Sequence, residues 1–431
     1  MKYSAYPEYK TSEMNWLNEI PIDWKLRKLR FIVSENFANG IFKKSTFWGS
    51  GRKLINVTDV YTNDDLVNQG NLDRLECSDE EYEKYSVKHG DFFLVRSSLK
   101  LEGIGKSASI LEPEEETVFE CHLVRGRPDL TLVDSRFLNY LLNSKYCRDY
   151  FVSIANIVTM ATIDQVKFKS INLPLPLLNV QIKIAAFLGH KTAQIDRLIE
   201  KKKALIEKLN EKRIALITQA VTKGLKPEVP MKFSCVDWLG DVPAHWEIMK
   251  LSHVVRLKSG ESITSLEFKL TGEYPVYGGN GHRGFFDEYT HEGEYVLIGR
   301  QGALCGNINY ASGKFWASEH AVVITPDRPV STLWLGELLR IMNLGQYSVS
   351  AAQPGISVEM ISRLKIPYPP IEEQEEIAGY ISRDISENQQ LINVTQKTIE
   401  RLTEYRTALI TAAVTGKIDV RGIDIPSQEA A

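Results

Sequence analysis

The chain has 431 residues, enough for two or three domains, and its 43% hydrophobic and 25% charged side chains match an ordinary soluble protein. Its net charge of −3 excludes gripping nucleic acid by bulk charge alone. The longest apolar stretch, near IKIAAFLG, is too short to span a bilayer, and five scattered cysteines (Cys77, Cys121, Cys147, Cys235, Cys305) without C-x-x-C spacing argue against a disulfide framework or a structural zinc.

The N-terminal MKYSAYPEYKTSEMNW is polar and aromatic and does not read as a signal peptide, so a reducing cytoplasm is the expected location. The first distinctive stretch is NWLNEIPIDWKLRKLRFIV (15–33). GDFFLVR (90–96) then reads as a strand, followed by VRSSLK (95–100). GIGKSAS (103–109) mimics the end of a P-loop but has Lys100 where the motif needs glycine, so it is discarded, leaving Lys106 as a lone phosphate-contact candidate. His122 lies in ECHLV, an apparent strand, and RFLNYLLN (136–143) reads as a helix. From Leu177 to Lys226 there is no proline, and the P-L-P-L just before this run permits a helix only downstream.

The pattern then repeats. DWLGDVPAHWEIMKLSHVV (237–255) matches 15–33 at an offset of 222, sharing Trp, Leu, Pro and Trp at 16, 17, 21 and 24 with 238, 239, 243 and 246. The proline-led helical stretch recurs at an offset of 193, pairing Pro174/Pro367, Pro176/Pro369, Gln181/Gln374 and the Ala-Leu-Ile-Thr blocks at 215–218 and 408–411. The first middle is therefore 29 residues longer than the second. Weaker echoes link GDFFLVR with GEYVLIG (293–299), RFLNYLLN with LWLGELLR (333–340), and ECHLV with SEHAV around His320. One scaffold carrying two different surfaces is the expectation.

Heptad positions in both helical stretches form an apolar seam that includes Ile199, Ile206, Leu209 and Leu216 in the first copy and Ile392, Ile399, Leu402 and Leu409 in the second. Polar Lys202, Asn388 and Thr395 interrupt it. The first stretch, 171–225, holds ten basic against four acidic side chains; the second, 364–418, holds six against eight. Opposite charge favours pairing of the two. Residues 223–236 reach only about 50 Å fully extended, too short to join parallel helices of some 55 Å, so the helices are expected to be antiparallel.

YPVYGGNGHRGFFDEY (274–289) spells G-x-G-x-x-G, but no helix follows it and the acidic residue expected about 20 positions on is missing. A glycine turn between strands is the simplest alternative to a recognition loop bearing Tyr277, Asn280, His282 and Arg283. IGRQG (298–302) supplies Arg300 and Gln301, and VRSSLK supplies Arg96, Ser97 and Lys100; Arg reads guanine and Gln reads adenine by bidentate hydrogen bonding. His122 and His320 serve equally well as structural histidines or base contacts. No nucleophile–base pair, methyltransferase-type Asn/Asp-Pro-Pro-aromatic run or metal ligand set can be assembled.

Two variable domains, each followed by a helix opened by LPLPLLNVQ or IPYPPIEEQ and closed by ALITQAVTKG or ALITAAVTGK, together with the W-L-x-x-x-P-x-x-W openings, resemble the specificity (S) subunit of type I restriction–modification systems over roughly residues 13–420. The family's Pro-Pro-x-x-Glu-Gln start is kept as Pro369, Pro370, Glu373 and Gln374, and departs to Pro176, Leu177, Val180 and Gln181 in the first copy. The resemblance implies an α+β fold: two globular α/β recognition domains joined by two long antiparallel helices in a pseudo-two-fold repeat. Its expected divisions are a first target-recognition domain at 1–170, a helical spacer at 171–225, a linker at 226–236, a second recognition domain at 237–363, a second spacer at 364–420 and a tail at 421–431. It implies a non-catalytic subunit in which each domain reads half of a bipartite double-stranded DNA site. The helices would dock two methyltransferase (M) subunits. S-adenosylmethionine, ATP and Mg would belong to the M and restriction (R) partner subunits. A coiled-coil scaffold that binds two proteins without reading DNA is the alternative.

Overall fold

The structure is a computed structural model and describes residues 3–14, 16–61, 69–264, 267–348 and 354–424. Most of the expected tail, from 425 onward, lies outside the described residues. The two proline-led, proline-free stretches form helices of 46 and 44 residues, Leu178–Lys223 and Ile371–Val414. At 1.5 Å per residue each is about 65–70 Å long. Both stop at a glycine in the left-handed region, Gly224 (φ +75°) and Gly416 (φ +76°), a conformation that a side chain with a Cβ resists.

The chain divides into two compact units. Unit 1 comprises Met1–Lys201 with Thr398–Ala431, and unit 2 comprises Lys202–Lys397. Each unit therefore holds one globular domain and one end of each long helix. In unit 1, Ile195 and Ile199 from the first helix share a core with Leu409, Ile410 and Ala413 from the second. Asp196 accepts from Arg406 Nε at 3.0 and 3.2 Å. In unit 2 it is the late residues Ile217, Ala220 and Val221 that join the early residues Ile377 and Ile381. Early beside late in one unit and late beside early in the other make the helices antiparallel. The seam residues Ile199, Ile206, Leu209, Leu216, Ile392, Ile399, Leu402 and Leu409 are all buried or half-buried, and so are the polar Asn388 and Thr395.

The repeated opening motif packs on the far end of the other repeat's helix. A Cβ on Gly416 would strike the Pro21 ring and approach Trp24, and one on Gly224 would approach Trp246 and Pro243. Trp24 and Trp246 are almost wholly buried there. The residues after each tryptophan then pair antiparallel with the strand before a long helix: Lys25–Lys28 with Asn172–Leu175, and Glu247–Lys250 with Lys365–Tyr368. Glu373 of the helix start accepts from Trp246 Nε1 at 3.0 Å and faces His245 Nε2 at 2.8 Å. Where the first copy has Val180 instead, that side chain packs on unit 1's core.

The shared glutamine has an equally specific role. Gln181 is fully buried; its Oε1 accepts from Asp134 N–H (2.9 Å) and its Nε2 donates to the carbonyls of Leu132 (3.0 Å) and Pro176 (2.9 Å). Gln374 accepts from Ser331 N–H (3.0 Å) and donates to Pro369 (2.8 Å). Asp134 and Ser331 are the N-caps of the matching helices Ser135–Asn143 and Thr332–Ile341. Each glutamine thus fastens the start of a long helix to the start of a domain helix. The carbonyl at Pro329, equivalent to Leu132, is taken instead by the Tyr368 hydroxyl (2.8 Å).

Both middles share one sheet order. In unit 2 it runs Val255–Ser259, Ala321–Pro326, His291–Gly299, Ile308–Ala317, Tyr274–Gly278, Gly281–Phe286, with a single parallel pairing, between Tyr274–Gly278 and Ile308–Ala317. Unit 1 repeats this as Ala38–Asn39, Leu123–Gly126, Phe92–Val95 and Ser107–Ser109, then Thr117–Phe119, Trp48–Ile55 and Asp73–Leu75. Its fourth strand is interrupted, and most of the 29 extra residues fall between Ile55 and Phe92, where the helix Asp79–Tyr85 is inserted. Met231–Phe233, read from sequence as part of a linker, pairs as a strand with Asp241–Pro243.

Candidate DNA-recognition sites

In each unit a polar turn sits where the third strand in the sheet order ends and the second begins. In unit 2, Arg300 directly follows the central strand. Its N–H donates to the His320 carbonyl (2.8 Å), and its own carbonyl accepts from Ile356 N–H (2.9 Å). In unit 1, Arg96 N–H donates to the His122 carbonyl (2.9 Å), and its carbonyl accepts from Ile163 N–H (2.9 Å). The match extends outward: Gly40 donates to Leu123 as Gly260 does to Ala321, and Gly105 donates to Val95 as Gly306 does to Gly299. Gly40 and Gly260 abut the neighbouring backbone so closely that a Cβ on either would fall 2.2 Å from a carbonyl oxygen. Arg96 therefore matches Arg300, whereas GDFFLVR aligned to GEYVLIG would set it against Gly299. The sequence echo is out by one residue, because apolar strand residues match almost as well at either register and only the hydrogen bonds choose.

His122 and His320 occupy equivalent places, but in the turns just before the strands Leu123–Gly126 and Ala321–Pro326 rather than on them. Leu123 N–H folds back to the Glu120 carbonyl and Ala321 N–H to Ser318, closing those turns. His320 Nε2 lies 3.2 Å from Glu319. In unit 1 the turn is Glu120-Cys121-His122, whose carboxylate, thiol and imidazole atoms lie within 4.8 Å of one another. Burial raises both the Glu120 carboxyl and the Cys121 thiol above their ordinary pKa values.

The G-x-G-x-x-G stretch is a β-hairpin. Tyr274–Gly278 pairs with Gly281–Phe286 and Gly278 faces Gly281, leaving Gly279-Asn280 as the turn. No phosphate-cradling helix follows. The turn packs directly on the Arg300 strand: a Cβ on Gly299 would lie 2.2 Å from the Gly279 carbonyl oxygen. Asn280, His282, Arg283 and Gln301 meet there around an open cleft of about 420 Å³. Asn280 Oδ1 accepts from Asn307 (3.2 Å), Arg283 lies over the Phe268 ring (5.8 Å), and Arg300 Nη1 donates to Ser259 Oγ (3.2 Å). The half-buried Tyr277 ring is edge-on both to its cross-strand partner His282 at 6.1 Å and to Phe315 at 5.6 Å, at the margin of a small core.

In unit 1, Ser97 begins a two-residue strand paired with Thr162, and Lys100 is exposed on the following turn. Arg148, its pKa lowered to about 10 by burial, donates to the carbonyls of Ile104 and Glu102 and braces that turn. Lys106 donates to the Tyr61 carbonyl, so its ammonium serves the fold at that contact. Ser259 and Asn307, which hold Arg300 and Asn280, went unnoticed in the sequence. No motif marks them; only the sheet order brings them near.

A mixed α/β domain built twice on one sheet order, each copy presenting an Arg/His turn and tied to long antiparallel helices, defines a repeated recognition scaffold. The chain belongs to the type I restriction modification DNA specificity domain family, whose model matches residues 21–208 and 243–401. It is 40% identical over 137 residues to the type I restriction enzyme EcoprrI specificity subunit of Escherichia coli, an alignment covering 31% of this chain and 34% of that one. The chain assigned as the specificity subunit of type I restriction enzyme MjaX in Methanocaldococcus jannaschii is 26% identical over 426 residues, covering 94% of this chain and 96% of that one. A solved chain from work on complex assembly and conformational transition in the type I R-M system superposes with a TM-score of 0.67 at 15% identity, covering 93% of this chain and 99% of that one; at such identity the likeness is one of fold. Among the described residues no helix is long and apolar enough to cross a membrane.

Proposed function

We propose that the chain gives a type I restriction–modification complex its DNA specificity, each recognition domain reading one half of a bipartite site. What carries this reading is the repeated Arg/His turn: identical backbone hydrogen bonds hold Arg96 beside His122 and Arg300 beside His320, while the surrounding side chains differ. Asn280, His282, Arg283 and Gln301 add donors and acceptors around Arg300, and Ser97 and Lys100 do so beside Arg96. The long helices dock two methyltransferase subunits, and restriction subunits join that assembly. Catalysis, with S-adenosylmethionine, ATP and Mg, belongs to those partners; titrating the isolated chain with S-adenosylmethionine or ATP is expected to give no stoichiometric heat. Local patches and partner subunits supply the phosphate contacts that a net charge of −3 does not.

The deciding experiment exchanges residues 256–363 for the corresponding domain of another family member and maps methylation by the reconstituted complex. One half-site is expected to change and the other to persist. Change in both halves or in neither refutes independent reading. Loss of sequence preference with partner binding intact would return the chain to a protein-binding scaffold.

A further inference from the structure

Beyond Arg96 the chain forms Ser97–Ser98, which pairs with Ala161–Thr162, which pairs in turn with Asn156–Ile157. Residues 156–162 are thus a short ribbon with Val158, Thr159 and Met160 at its tip. Ser98 and Ala161 are buried, whereas Ile157 and Val158 are 65% and 88% exposed. Leu99, on the turn that follows Ser98, is 84% exposed, and so to a similar degree (78%) is Phe42, next to the bridge joining Ile41 to Glu120 beside His122. One exposed apolar residue is ordinary. Four large ones on the segments flanking one Arg/His turn mark a surface that something covers.

The ribbon is held in place. Lys167 Nζ donates to the Ile154 carbonyl (2.7 Å) and to Asn156 Oδ1 (3.1 Å) at its base. Gln165, on the same short helix as Lys167, donates to Asn39 Oδ1 (2.8 Å), tying that helix to the strand before Phe42. The Ile163 bond to Arg96 fixes the ribbon's exit. Basic side chains stand on the same segments: Arg96 and exposed Lys100 on either side of Ser97–Ser98, exposed Lys44 just past Phe42, and Lys167 at the ribbon's base. Among the acids on these segments Glu120 is half-buried and accepts from Val57 N–H, Asp164 caps the helix that carries Lys167, and Glu102 is exposed beyond Lys100.

An exposed apolar tip, on segments that also carry Arg96, Lys100 and Lys167, fits a polyanion that presents apolar groups within its grooves. We propose that the ribbon of residues 156–162 enters a groove of the first DNA half-site, with Ile157 and Val158 in apolar contact with base edges beside the base that Arg96 reads. The inference rests on reading the first domain as a DNA-recognition module and adds a contact to it. A two-stranded ribbon is narrow enough for the major groove, where thymine methyls and base edges are exposed. β-Branched side chains give up little rotamer freedom on docking.

The test uses the complex reconstituted with its methyltransferase subunits and a DNA library randomised at both half-sites. Ile157→Ser/Val158→Ser is expected to weaken cognate binding about tenfold or more and to relax one or two positions of the first half-site only. Arg96→Ala in parallel should relax a neighbouring position. Unchanged thermal unfolding of the double variant, and of the milder Val158→Ala, excludes misfolding. If the unaltered complex discriminates its site but the double variant matches it, or loses affinity equally for all sequences, base-edge contact by the ribbon is overturned. If the variant instead fails to bind methyltransferase subunits without DNA, the ribbon is a protein interface and the proposal is equally overturned. If the unaltered complex shows no sequence preference, the underlying reading of the protein fails, a result distinct from all of these.

Discussion

Replacing Gln181 should be among the most costly single changes in the chain, and more costly than replacing its repeat partner Gln374. Gln181→Met keeps the volume but removes all three hydrogen bonds of a fully buried amide. The Asp134 N–H donates to Gln181 Oε1; orphaning such a donor costs about 1–3 kcal/mol, while each of the other two bonds contributes about 0.5–1.5 kcal/mol. The sum is about 2–6 kcal/mol. Gln374→Met loses the Ser331 and Pro369 contacts but not the Pro329 carbonyl, which Tyr368 already satisfies. Its cost should be lower by about 1 kcal/mol, one net hydrogen bond. Urea unfolding of the full chain, followed by pulsed hydrogen exchange, separates the helices Ser135–Asn143 and Thr332–Ile341 and assigns each loss to its own unit. A Gln181→Met loss under about 1 kcal/mol, or a larger loss for Gln374→Met, would refute this account of the shared glutamine.

Arg300→Ala should cost about 1–3 kcal/mol of cognate binding and relax one base position of the second half-site, read by selection from a randomised DNA library; uniform loss would make Arg300 a phosphate contact. A double-mutant cycle on Asp196 and Arg406 should give a coupling of only about 0.2–1 kcal/mol in denaturant unfolding, because Asp196 is half in solvent. The paired oxygens of Asp419, hydrogen-bonded to Arg421, hold its pKa below the ordinary value. A depressed carboxylate stabilises above its unfolded pKa and loses that contribution as pH falls through the folded value, so stability should drop on acidification below roughly pH 4. Asp419→Asn should flatten that acid limb of the unfolding curve; an unchanged limb would place the titration elsewhere.

How much of this was legible in the sequence follows the range of each interaction. The long helices could be read because proline exclusion and heptad spacing are local, and their direction because a 14-residue connection sets a hard limit on reach. The fold class followed from the repeat. Registers within the middles did not, since strand residues such as Phe92, Phe93 and Leu94 offer no internal mark of position; the match of Arg96 to Arg300 needed the hydrogen bonds of His122 and His320. Tyr277 looked like a stacking ring beside glycines, and only the fold shows that its ring meets both His282 across the strand pair and Phe315 in a small core. Lys106 looked like a solvent or phosphate lysine, and only the folded neighbourhood shows it reaching Tyr61.

The two domains also show how a scaffold can hold constant while its surface diverges. The bonds common to both units run between backbone atoms or from a buried glutamine to backbone, and backbone groups are the same whatever side chain stands above them. Gly40 and Gly260 are constrained because a Cβ there would meet the neighbouring backbone, whereas Phe42 and Ser262, and Ser97 and Gln301, occupy matching places with unlike chemistry. A change at those exposed positions leaves every shared bond intact. Substitutions at 42, 97, 262 or 301 are therefore expected to move DNA preference with little effect on unfolding, and substitutions at 40, 181, 260 or 374 to do the reverse.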